Sequence, residues 1–123
     1  MKRPSSKELF GKIREAKNAV ESETVFLLDP DVIVEDAIEL GYDIGDELFV
    51  ILSELLDETS VNQYAGSRPP QKSYKQDIQG LELFAFVVDC CRFKCRIYYK
   101  FAFKEGVFWL VSLHRDQPKG ETL

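Results

Sequence analysis

The chain has one histidine, one tryptophan, one methionine and three cysteines. A single imidazole excludes the His-rich zinc patterns, which need at least two. Cys90, Cys91 and Cys95 form an odd set without a second cysteine pair or a neighbouring histidine. Neither a disulfide framework nor a zinc site follows from them, and a structural or incidental role for reduced thiols is the simplest reading. No apolar run approaches the ~20 residues of a membrane-crossing helix, and MKRPSSKELF lacks the apolar stretch of a signal peptide. A cytoplasmic protein without membrane contact is therefore expected. There is also no Gly-rich phosphate loop and no serine nucleophile elbow. No cofactor and no metal are expected.

What is present suffices for one domain: 123 residues, 45% of them apolar, can close a core without disulfides or metals. The formal net charge of −5 is unevenly spread. Residues 1–66 hold 6 basic against 15 acidic side chains, a balance of −9, and residues 67–123 hold 10 against 6, a balance of +4. Polyanion binding depends on local basic surface rather than on the sum, so the second half retains the means to grip phosphates. Mutual attraction of the two halves is the alternative.

SSKELFGKIREAKNAV opens with Ser5 three residues before Glu8, a capping-box spacing, and Leu9, Ile13, Ala16 and Val20 follow on one helical stripe. TVFLL (24–28) suits a short extended segment. In DPDVIVEDAIELG, Asp29 can cap, Pro30 suits the first helical position and Gly41 suits the stop. YDIGDELFVILSELLDE predicts a third helix with Ile44, Leu48, Ile51, Leu52, Leu55 and Leu56 on one face. Residues 1–58 are thus mainly helical. Polar, proline and glycine punctuation makes 59–80 a long basic loop, of the kind that is usually functional or disordered. Strands are expected at 82–89, 95–103 and 107–114, with KEG (104–106) as a hairpin turn, inside an antiparallel region 81–116. A flexible tail, 117–123, completes a single domain, 1–123. The fold class is α+β, with N-terminal helices packed on a C-terminal antiparallel β-sheet.

Strand alternation separates Ile97, Tyr99, Phe101 and Phe103 from Arg96, Tyr98, Lys100 and Lys104. The first set is core. The second is either an ordinary solvated face or a phenol flanked by cations that suits phosphates and ribose. His114 ends the last strand, as a plain strand-end side chain or as an acid or base held on a rigid element. RNA can be cleaved by acid–base chemistry alone, given a base for the 2′-OH, cations for the phosphorane charge and an acid for the 5′-oxygen. Unpaired RNA also suits a tyrosine-bearing basic surface.

AIELGYDIGDELFVILSELLDE, then a loop with YKQDI, then RIYYKFAF and WLVSLHRD, resembles the toxins of the motility quorum-sensing regulator (MqsR) family. These are RelE-like ribonuclease toxins of type II toxin–antitoxin systems. The likeness spans roughly residues 10–116, and its most specific pieces are LGYDIGD and the IYYKF and VSLH strands. It implies a RelE-like fold and a metal-independent endoribonuclease that cuts mRNA, restrained by a cognate antitoxin, with DNA not a direct partner. It places Gln76 at the family's loop glutamine, Tyr98 at its strand tyrosine and His114 where the family carries a catalytic lysine. The family's earlier loop lysine has no clean counterpart, and Lys72 or Arg68 is the substitute. The expected catalytic set is His114, Tyr98, Gln76 and Lys72, and the expected RNA contacts are Arg68, Lys75, Arg96, Lys100 and Arg115. The acidic pI of 4.9 departs from the usual basic character of these toxins. Two other readings remain: a non-catalytic module of this fold that holds another protein on the basic sheet face or the acidic helices, and an RNA-binding regulator that does not cut.

Overall fold

A computed structural model describes residues 5–66 and 70–116. Arg68 and the tail 117–123 lie outside them. Helix α1 runs Ser6–Glu21, and the capping box forms as its spacing predicts. The Glu8 amide donates to Ser5 Oγ at 3.0 Å and the Ser5 amide to Glu8 Oε1 at 3.3 Å. Two otherwise orphaned donors at the helix start are thereby satisfied. Helix α2 (Pro30–Leu40) starts at its proline and stops at Gly41, whose φ of 87° is the left-handed conformation that a residue without Cβ adopts at least cost. Asp29 occupies the position before α2 without forming a side-chain cap. Helix α3 (Ile44–Glu58) is capped by Asp43, which accepts from the Asp46 amide at 3.0 Å.

Strands β2 (Phe84–Cys90), β3 (Cys95–Lys104) and β4 (Val107–Arg115) form the expected antiparallel meander. Glu105 (φ 53°) and Gly106 (φ 81°) make the two-residue turn between β3 and β4. Positive φ at both turn positions matches the natural twist of a hairpin. The sheet is not wholly antiparallel. TVFLL contributes β1 (Val25–Leu27), which pairs parallel to β4, so the order is β1-β4-β3-β2 and the sheet is mixed. Alternation within three residues carries no direction, which is why parallel pairing is invisible in the local pattern.

One sheet face packs against the helices. Leu9, Ile13, Ile51, Leu52, Leu55 and Leu56 meet Phe84, Phe86, Ile97, Tyr99, Phe101 and Phe108 in one buried cluster. Phe101 is fully buried, stacks on Phe108 at 4.8 Å between centroids and meets the edge of Phe103 at 5.6 Å. Tyr99, also fully buried, brings its hydroxyl within 2.7 Å of Thr59 Oγ1, so its one polar atom is satisfied. Burial holds the Tyr99 phenol well above the ordinary tyrosine range. Arg92, in the β2–β3 turn, reaches Glu54 of α3 at 2.7 and 3.0 Å and fastens that end of the sheet to the helical layer. The bidentate contact lowers the Glu54 pKa.

The segment 59–80 is less open than its composition suggests. It contains two short turns, Val61–Gln63 and Gln76–Ile78, and bridges Tyr64 to Phe86 and Lys72 to Glu82. Ile78 is buried with Leu83 and Ala102 on the sheet face opposite the helices, so the loop covers one end of that face. No helix among the described residues is long and apolar enough to cross a membrane.

Candidate functional site

The sheet face turned away from the helices carries the side chains of interest. On β3 they run in the order Arg96, Tyr98, Lys100. The cross-strand partners of the last two on β4 are His114 and Ser112. Plain alternation along β4 would put Phe108, Leu110, Ser112 and His114 on one face, and the first two are fully buried. The structure avoids this with a bulge: Lys100 pairs with Ser112 and Phe101 with Leu110, leaving Val111 as an extra residue. After the bulge Leu113 is the buried residue and His114 faces outward. A bulge re-aims every side chain beyond it, and here it re-aims the histidine.

Removing Val111 alone should therefore restore an uninterrupted ladder without turning His114 inward. The expected cost is at most the ~1.5–3 kcal/mol of a buried valine. Amide exchange at 113–115 reads the outcome: protection should persist, and its loss would show that the bulge itself is required.

Tyr98 and His114 are directly opposed, with ring centroids 5.1 Å apart and planes within 20° of parallel. His114 Nδ1 lies 2.9 Å from the carbonyl oxygen of Arg115. A carbonyl only accepts, so in the neutral ring this contact assigns the proton to Nδ1 and leaves the Nε2 lone pair free. Burial, and then the Asp116 carboxylate, raise the Tyr98 pKa above the ordinary tyrosine value. The phenol thus stays protonated at neutral pH and can donate a hydrogen bond. The pair sets an imidazole nitrogen lone pair beside a phenol O–H on adjacent strands of one sheet face.

Cavities flank the pair on both sides. One of about 430 Å³ is lined by Val87, Asp89, Arg96 and Asp116, with Tyr64. Arg96 is shared there with Asp89, 3.6 Å away. The other, about 130 Å³, is lined by Lys75 and Lys100 together with Leu28, Leu83 and Val111. The positive charge is therefore gathered on one side of the pair, and Arg96 sits on the other among carboxylates.

The remaining expected residues that the structure describes are not brought to this centre. Lys72 lines a separate cavity with Lys12, Phe84 and Phe103. Its neighbours Gln71 and Ser73 line the Lys100 cavity, because successive side chains of an extended segment point to opposite sides. The turn carrying Gln76 is seated through Ile78 over Ala102, four residues or roughly 13 Å along β3 from Tyr98. Lys104 Nζ donates to the Asp77 carbonyl at 3.1 Å and holds that turn in place. Arg115 pairs with the buried Ile97 and so belongs by register to the helix side of the sheet. Arg68 lies outside the described residues. Ser112, Asp116, Asp89 and Tyr74 join this face as well; Asp116 is visible in sequence as part of LHRD, whereas the others gain relevance only through cross-strand pairing and loop closure.

Cys90 and Cys95 are opposed across the β2–β3 hairpin on the helix side, Cys90 buried and Cys95 half-buried, and Cys91 is exposed. Among the described residues, no three His, Cys, Asp or Glu side chains converge as metal ligands. Comparison of the chain with protein-family models, with curated proteins and with solved structures yields no match.

Proposed function

We propose that the protein is an endoribonuclease of the RelE-like toxin type that cuts mRNA without a metal and is restrained by a cognate antitoxin. The observation that carries this reading is the stacked, directly opposed Tyr98–His114 pair on the exposed sheet face, with Lys100 one pleat away. His114 Nε2 removes the proton of the ribose 2′-OH as that oxygen attacks phosphorus. Tyr98 donates its proton to the departing 5′-oxygen, leaving a 2′,3′-cyclic phosphate and a free 5′-hydroxyl. Lys100 and Lys75 offset the charge that builds on the phosphorane. For the antitoxin, Val34 and Ile38 stand exposed four residues apart on α2, beside Glu35 and Glu39. They offer an apolar strip with acidic flanks to a basic partner segment.

A second reading, RNA binding without cleavage, is favoured by one fact: Lys72 and the Gln76 turn stand apart from the pair. Incubating purified protein with mRNA in EDTA separates the two. Cleavage to cyclic-phosphate ends supports the nuclease, and binding without cleavage supports the regulator. Under either reading affinity falls steeply with salt, and Lys100→Ala flattens the plot of log affinity against log salt by about one unit per lost phosphate contact. Binding that ignores salt, or no binding at any salt, speaks against both.

A further inference from the structure

We infer that the cavity of about 130 Å³ beside Lys100 is a subsite for one pyrimidine ring of the RNA, next to the phosphate at Tyr98 and His114. This rests on the ribonuclease reading and adds to it a discrimination between bases. Position comes first. Lys100 and Val111 line the cavity, and they adjoin Tyr98 and His114 along β3 and β4, so the space begins about 7 Å, one two-residue pleat, from the reacting pair.

Size decides the class of ligand. An enclosed cavity of about 150 Å³ lined by apolar side chains takes up benzene, a single six-membered ring. The present space of about 130 Å³ has Leu28, Leu83 and Val111 as its apolar wall and holds one such ring. The second ring of a purine would lie outside the apolar wall, at the open mouth.

The rim supplies what a nucleotide needs beyond an apolar slot. The Gln71 side chain brings a donor and an acceptor for the ring edge, and Lys75 and Lys100 bring charge for the phosphates on either side. Tyr74, on the same rim, is 80% exposed, whereas Tyr42, Tyr64 and Tyr99 are buried. An exposed phenol at the mouth of an apolar cavity is a stacking surface for a base. The wall is not loose. The amides of Leu83 and Ser73 donate to Gln71 and Leu81 carbonyls at 2.8 and 2.9 Å, and Gly80 donates to Ser73 at 2.7 Å, so the loop closes on itself as a short paired arm.

The test uses the full chain with methyl and amide isotope labels and two non-cleavable probes, the 2′-O-methyl hexamers of uridine and adenosine. The uridine hexamer should shift the methyl signals of Leu28, Leu83 and Val111 and bind at least about tenfold more tightly than the adenosine hexamer. Tyr74→Ala, at an exposed position that leaves the core intact, should weaken uridine-hexamer binding about 5- to 150-fold, the range expected for one lost stacking contact. Equal affinity for both hexamers would overturn the ring-size inference. Shifts at Lys100 and His114 without shifts at the three methyls would overturn the subsite, and cleavage in EDTA would show that the nuclease reading survives. Absence of binding together with absence of cleavage would overturn both.

Discussion

Replacing His114 by alanine is expected to lower RNA cleavage by a factor on the order of 10²–10⁴, the usual contribution of a positioned acid or base, while the protein remains folded. The ring is half-buried on the outer face of β4, and its hydrogen bond runs to the adjacent Arg115 carbonyl, so its loss leaves no buried partner unsatisfied among the described residues. Tyr98→Phe tests the other half of the pair. If the phenol protonates the 5′-oxygen, this variant loses a comparable factor on natural RNA. It recovers most of that loss on a substrate whose leaving group, a nitrophenol, departs without a proton. Equal losses on both substrates would assign Tyr98 to positioning instead. A folded His114→Ala protein that cleaves at the wild-type rate would remove the histidine from the mechanism. Growth of the expressing cells provides a parallel readout: wild type should slow it and His114→Ala should not.

The largest expected effect on stability lies on the other side of the same sheet. Phe101→Ala should cost about 3–5 kcal/mol, because it deletes a fully buried ring from a close-packed core. That is a large part of the ~5–15 kcal/mol that holds an ordinary domain together. Its ring lies 4.8 Å from Phe108 and within 6.1 Å of Phe84 and Phe86, so the vacancy opens at the centre of an aromatic cluster and cannot collapse locally. Urea unfolding reads this as a lower midpoint at unchanged slope. Phe101→Leu, which keeps most of the volume, should lose less. Cleavage per folded molecule should change little, since Phe101 faces the helices and Tyr98 the solvent. A shift below about 1 kcal/mol would mean that the cluster repacks and is not the keystone of the sheet.

The helices could be read directly, because each carries its own start, stripe and stop. Ser5 with Glu8 caps α1, Pro30 and Gly41 bracket α2, and Leu48 to Leu56 mark the buried face of α3. These are local effects of capping and of the 3.6-residue period, and they need no partner elsewhere in the chain. The three-strand meander was legible for the same reason: alternation and a two-residue turn are short-range signals. Tyr98 and His114 stood out by type, one by its cationic neighbours and the other as the chain's single imidazole.

Their meeting was a tertiary event. Counting along β4 places His114 with Phe108 and Leu110, on the buried side, and only the bulge at Val111 reverses that parity. The bulge lets Leu110 and Leu113, three positions apart, both enter the cluster under the helices, which strict alternation would forbid. The same holds for the lysines. Lys72 and Lys75 are near neighbours in the chain, yet the folding of the loop sends one to the Lys12 cavity and the other to Lys100. Charge counted along the sequence therefore overstates the basic surface at the pair. Side-chain chemistry was determined by the sequence itself, whereas its grouping was decided by pairing register and loop closure, which depend on contacts between residues far apart in the chain.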